Sequence, residues 1–135
     1  VIRFVISGEP ASKANSRRLV KFGDRPASIK STKALSYEKS AILQIPDYAK
    51  QMLDGDICFS AWIYYATRRP DLDESIIMDA LQAKFKNGVL IRKGVYLNDR
   101  QIKQKHIYHG IDKINPRAEI EITKIKPAEA GLVEL

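Results

Sequence analysis

The chain is poor in the residues that build covalent or zinc-based sites. Cys58 is its one cysteine, and His106 and His109 are its two histidines. A single cysteine closes no intrachain disulfide, which makes a reducing compartment the default expectation. One thiol and two imidazoles without paired spacing give no support for a zinc site. No apolar run approaches the roughly 20 residues that span a bilayer, so no membrane partner is expected. Residues 1–6 carry Arg3 and are too short for the apolar core of a secretory signal, which places the expected location in the cytoplasm. Glycine-rich phosphate loops, a Ser-His-Asp order, repeats and low-complexity tracts are all missing. Acids are scarce as well, 16 against 23 lysines and arginines, for a net charge of +7. That balance points to nucleic acid or another anionic surface without choosing between them.

What is present is enough for one domain. A chain of 135 residues fits a single unit, expected over residues 1–135, that buries roughly two-thirds of its unfolded surface. Residues 1–6 read as a strand with Ile2, Phe4 and Ile6 on one face. Residues 11–35 are polar and basic, show no periodicity, and read as a long loop. Ser36 is a plausible N-cap for a helix to about Ile45, which Pro46 interrupts before a resumption to Met52. Residues 57–66 are β-branched and aromatic and apolar on both faces, as a central strand would be. A second helix follows, with Ile77, Leu81 and Phe85 at helical spacing and Asn87-Gly88 as its stop. Residues 89–98 read as a loop, 100–109 as a strand, and 117–125 as an alternating strand with Ala118, Ile120 and Ile122 inward. The tail after Pro127 reads as frayed. The expected class is α+β: a mixed sheet of about four strands with flanking helices, in the order β-α-β-α-β-β.

Against the basic background, three carboxylates stand out: Asp71, Asp73 and Asp99. Side chains at i and i+2 of an extended segment point the same way, so Asp71 and Asp73 can share an ion. Pro70 favours that extension by biasing Arg69 away from helix. A helix and a returning loop can bring Asp99 back to them. Hard cations such as Mg²⁺ are held by one or two carboxylates, water and substrate phosphate. A simpler reading needs no metal: Asp71 with Glu74 resembles a helix capping box, and Asn98-Asp99 resembles a turn before a strand.

The cations cluster too. Residues 11–40 hold eight lysines and arginines against Asp24 and Glu38, which is +6 of the +7. Arg68 and Arg69 form a second cluster beside the acids. Such residues give salt-dependent, largely sequence-independent phosphate binding. Phe59, Trp62, Tyr64 and Tyr65 read most simply as core, with Tyr96 and Tyr108 as candidates to stack on a base.

The segments Arg68-Arg69-Pro70-Asp71-Leu72-Asp73, Met78-Asp79-Ala80-Leu81, Gly88 and Tyr96-Leu97-Asn98-Asp99-Arg100-Gln101-Ile102 resemble the RusA family of Holliday junction resolvases. The opening Gly8-x-Pro10-x-Ser12-Lys13 with Asn15 and Arg17 resembles that family's N-terminal segment, so the resemblance runs over nearly the whole chain. It implies an Mg²⁺-dependent endodeoxyribonuclease, with Mn²⁺ as a substitute. The enzyme would act on four-way junctions as a homodimer in recombination and repair, and would be phage or prophage encoded. Asp71, Asp73 and Asp99 would be the catalytic, metal-holding carboxylates, with Asp79 as a further acidic position. Lys13, Asn15, Arg17, Arg18, Arg68 and Arg69 would meet DNA. The family's lysine one helical turn after the Asp-x-Asp is Ile77 here, so its role is either lost or supplied elsewhere, with Lys13, Lys84 and Lys93 as candidates. The family's paired acids before the third strand are Asn98-Asp99, one charge fewer. The alternatives are a branched-DNA-binding module without catalysis and a nuclease for flaps or forks.

Overall fold

The computed structural model describes residues 1–12, 15, 17–68 and 74–126. In chain order it contains strand β1 (Ile2–Ser7), strands β2 (Arg17–Phe22) and β3 (Arg25–Lys30), helix α1 (Thr32–Gln44) and strand β4 (Ile57–Tyr65). Helix α2 (Glu74–Leu81), strands β5 (Lys84–Lys86) and β6 (Val89–Arg92), and strands β7 (Ile102–Ile111) and β8 (Arg117–Lys124) follow. Four strands make the main sheet in the order β1-β8-β4-β7, and the pairs β2-β3 and β5-β6 stand as separate hairpins. The main sheet with its two helices keeps the β-α-β-α-β-β order and the α+β class read from sequence. Among the described residues no helix is long and apolar enough to cross a membrane.

β4 is central, antiparallel to β8 and parallel to β7. Its alternation sends Ile57, Phe59, Ala61, Ile63 and Tyr65 to one buried face and Cys58, Ser60, Trp62 and Tyr64 to the other. On β1 and β8, Ile2, Phe4 and Ile6 pair across the ladder with Ile122, Ile120 and Ala118, and all six are buried. The helices cover that one face, α1 through Ala34, Tyr37 and Ala41, α2 through Ile76, Ile77, Ala80 and Leu81. Each large side chain so buried contributes roughly 1.5–3 kcal/mol. The parallel β4-β7 pair needs a long crossover, and residues 66–101 supply it. That crossover carries α2, the second hairpin and Asp99.

Five expectations need correction. Residues 11–35 are not one long loop: β2 and β3 form a hairpin, and α1 starts at Thr32. The Ser31 side chain caps this helix, its Oγ accepting from Ala34 N at 3.1 Å, not Ser36. Gly23, at φ +64, opens the two-residue turn where a hairpin needs a positive φ. The second helix ends at Leu81, and Phe85 lies in β5, half exposed. Asn87-Gly88 is a hairpin turn, with φ +53 and +79, the conformation that Asn-Gly favours between paired strands. Residues 89–98 are structured, since β6 pairs with β5 and Tyr96 bridges Leu53 and Gln82. After Pro46 the chain makes one short 3-10 turn, Asp47–Ala49, rather than a resumed helix. The tail after Pro127 lies outside the described residues.

Candidate functional site: an acid pair between two basic hairpins

Asp99 is placed by tight backbone packing. Gly94 donates no side chain, and a Cβ there would stand 2.3 Å from Ala83 N. The 94–96 segment can therefore pass between its neighbours. Val95 N donates to Leu81 O at 2.8 Å, Ala83 N to Tyr96 O at 2.8 Å, and Leu53 N to Val95 O at 2.9 Å. Tyr96 is fully buried, and its hydroxyl donates to Met78 O at 2.5 Å. It is thus a packing residue and offers no ring to a base. Asn98 and Gln101 form a reciprocal cap around the 3-10 turn Asp99–Gln101. Asp99 N donates to Gln82 Oε1 at 3.1 Å, which fixes the residue against the C-terminal end of α2.

That position brings Asp99 beside Asp79, one turn up α2, close enough for the two carboxyl groups to act on each other. Negative oxygens of neighbouring carboxylates repel, which favours the protonated form of Asp79. Partial burial raises the affinity of Asp79 for its proton. Lys30 opposes the rise, and Asp99 and Glu38 add to it. Lys30 Nζ lies 2.5 Å from Glu38 Oε2 and 3.6 Å from Asp79 Oδ2. Lys30, Glu38, Asp79, Gln82, Lys84 and Arg92 line a cavity of about 240 Å³. Arg92 Nη2 donates to Gln82 O at 3.4 Å, while its Nε is buried with no partner among the described residues.

Of the residues singled out from sequence, Asp79, Asp99 and Lys84 come to this end of α2. Asp71, Asp73, Arg69 and Lys13 lie outside the described residues. α2 begins at Glu74, the next residue after Asp73 in the chain, and Lys105 Nζ of β7 pairs with its Oε1 at 3.2 Å. Arg68 and Arg18 are exposed. Asn15 is exposed too, its carbonyl taking the Ser31 hydroxyl at 2.6 Å. Arg17 turns inward on its own hairpin, with Nη2 on Ser28 O at 2.6 Å. Ile77 is fully buried in the core, where an ammonium would lose its hydration, so the cation beside the acids is Lys30 from β3. Sequence reasoning missed Lys30 and Glu38 as site residues. The Gly23-Asp24 turn between two six-residue runs was the available signal for the hairpin that delivers Lys30.

The donors fit a hard divalent ion in kind. Asp79 and Asp99 offer neighbouring carboxylate oxygens, the ligand type such an ion takes. Glu38 is held by Lys30. Among the described residues no group of three or more acids, histidines or cysteines gathers. No protein-family model and no curated protein matches the chain.

Proposed function

We propose that the chain is a metal-dependent endodeoxyribonuclease of the RusA kind that resolves four-way DNA junctions by paired nicks. The observation that carries the reading is the Asp79–Asp99 contact, its Asp79 side lining a cavity with Lys30, Lys84 and Arg92 in a basic protein. The motif resemblance adds Asp71 and Asp73, which precede α2 in the chain.

In this reading Asp71, Asp73 and Asp99 hold Mg²⁺, or Mn²⁺ in its place, with Asp79 as their neighbour. The ion, when bound, supplies positive charge at the phosphate and acidifies a coordinated water. The protein supplies the rest. Arg68 and the exposed cations of β2 and β3 hold phosphates near the cut. Lys30 pairs with Glu38 and stands 3.6 Å from Asp79, so part of the acid group's charge is compensated before DNA arrives. Partial burial raises the proton affinity of Asp79 beside Asp99. A four-way junction is close to two-fold symmetric and needs two cuts, a need that a C2 homodimer with one site per subunit meets.

The test uses a labelled four-way junction with Mg²⁺ or Mn²⁺. Paired nicks by the wild type are expected. Asp71→Asn, Asp73→Asn and Asp99→Asn should each abolish cutting while binding in Ca²⁺ survives; an Asp73→Asn protein that cuts at the wild-type rate sinks the assignment. Sedimentation should give twice the mass of the 15.3 kDa chain. A second reading, a branched-DNA-binding module without catalysis, is favoured by the burial of Ile77, which leaves no cation at that position of α2. Binding without nicking over hours would select it. Parallel assays on flaps and forks decide the substrate if cutting occurs on another structure.

A further inference from the structure

The two hairpins hold an unusual share of the charge. Residues 17–30 carry Arg17, Arg18, Lys21, Arg25 and Lys30 against Asp24, and residues 84–92 carry Lys84, Lys86 and Arg92 with no acid. That is eight cations against one acid, equal to the whole chain's +7, and the remaining 15 cations meet 15 acids. Both hairpins are separate two-stranded units, a form that is marginal in water without further support. Both are tied at their bases to the acid site: Lys30 to Glu38 and Asp79, Arg92 to Gln82. Beyond those ties they expose apolar side chains that a free surface ribbon has no use for. Phe22 is 64% exposed and Leu19 82%, and Phe85 and Val89 are exposed on the second hairpin. By register, Phe22 pairs directly with Arg25, and Val20 and then Arg18 follow on the same face of the ribbon. An exposed ring with a cation across from it is a surface for an unstacked base and its phosphate.

We propose that hairpins 17–30 and 84–92 are two nucleic-acid arms that grip DNA on either side of the Asp79–Asp99 pair, with Phe22 stacking on a base opened at the branch point. This deepens the proposed function and rests on its nucleic-acid part, not on cutting. Arg18, Lys21 and Arg25 on one arm and Lys84 and Lys86 on the other contact phosphates. Arg92, which lines the cavity at the base of the second arm, meets a phosphate as the strand enters it.

The experiment measures binding of the full chain to a labelled four-way junction in Ca²⁺, across a series of salt concentrations. Each lost phosphate contact lowers the slope of log affinity against log salt by about one. Arg18→Ala/Lys21→Ala/Arg25→Ala should lower it by about three and weaken binding by at least roughly tenfold at moderate salt. Lys84→Ala/Lys86→Ala should lower it by about two. Arg3→Ala, on the outer sheet face, should leave it unchanged. Phe22→Ala should weaken junction binding roughly tenfold and abolish the fluorescence rise of 2-aminopurine placed at the branch point. These side chains are exposed, so a circular-dichroism melt matching the wild type verifies folding. Slopes that do not respond to the arm variants, a slope that falls equally in Arg3→Ala, or no binding to any DNA would overturn the arms. A junction bound in an arm-dependent way but never nicked in Mg²⁺ supports the arms and sinks only the nuclease reading.

Discussion

The outer face of the main sheet and the end of α2 hold comparable numbers of ionisable groups and treat them in opposite ways. On the outer face each charge has its counter-charge in place. Arg3 Nε meets Glu121 at 3.2 Å, and Arg117 meets Asp112 at 2.7 Å and Glu119 at 2.9 Å. The Arg117 guanidinium also lies 4.2 Å from the centroid of the Tyr64 ring. At the end of α2, like charges are brought together: Asp79 faces Asp99, and a single lysine serves both Asp79 and Glu38. The hairpins around them carry cations without acids. Charges that maintain a fold are paired within it, whereas charges held next to their own sign are stabilised by something that arrives.

The largest test of this contrast is Asp99→Asn. A structural carboxylate should cost stability when it is neutralised, and a site carboxylate should cost activity instead. Asp99→Asn is expected to lower junction nicking on the order of 10³-fold, the loss typical of a charge aimed at the reacting centre. Its urea midpoint should stay level or rise, because the repulsion with Asp79 is relieved. A drop in the midpoint with nicking unchanged would reverse the assignment of the two regions.

Next in size is Gly94→Ala. The added Cβ meets Ala83 N at 2.3 Å and Gln82 C at 2.4 Å, both backbone atoms that cannot swing away. The expected loss is about 3 kcal/mol by chemical denaturation, in the range for an overpacked interior. The same displacement should carry Asp99 away from Asp79 and lower nicking in the protein that remains folded. A Gly94→Ala protein of wild-type stability would mean that the 94–99 segment is free to shift and that Asp99 is not rigidly placed.

What was legible in the sequence follows from which elements bury a face. β1, β8 and α2 showed their periods, because each presents apolar residues to one core, and β4 showed as an unbroken apolar run. The hairpins did not. Nearly all of β2, β3, β5 and β6 is exposed or half-exposed, so no hydrophobic period marks them, and only their turns, Gly23-Asp24 and Asn87-Gly88, could have been read. Phe85 fell at helical spacing after Leu81 by coincidence and extended the expected helix by a turn. At the site, Asp99 and Asp79 were visible through motif spacing. Lys30 and Glu38 were not, since they reach the acids from β3 and α1, some forty residues or more away in sequence.

The pH dependence of stability should differ in sign between the two regions. The Asp79 carboxyl lies above its ordinary value of 3.8, burial being the main cause. Between 3.8 and that raised value the folded state holds more protons than the unfolded chain, so acidification through this window stabilises, and the advantage is gone above it. The Asp112 carboxyl lies below 3.8, held there first by the Asn115 backbone N–H and then by Arg117. Its contribution is present above pH 3.8 and is lost as pH falls through the depressed value. Urea melts between pH 3 and 7 should show Asp79→Asn losing the acid-side gain and Asp112→Asn losing the acid-side decline. If both variants change the curve in the same direction, the two regions share one electrostatic design.

The smallest effect separates two aromatic residues that composition alone would treat alike. Tyr108 is half exposed, as a base-stacking ring would be. One face of it is already covered, because its ring lies 5.4 Å from that of Trp62 at an interplanar angle of 15°. Phe22, on the hairpin, stands beside Arg25 with most of its surface free. Tyr108→Ala should therefore reduce stability by about 0.5–1.5 kcal/mol, the worth of an aromatic pair, and leave junction affinity and its salt slope at wild-type values. Phe22→Ala should do the reverse, with an unchanged melt and weaker binding. If Tyr108→Ala weakens binding at constant stability, the outer face of the sheet is a second DNA surface, and its paired charges are rearranged when DNA binds.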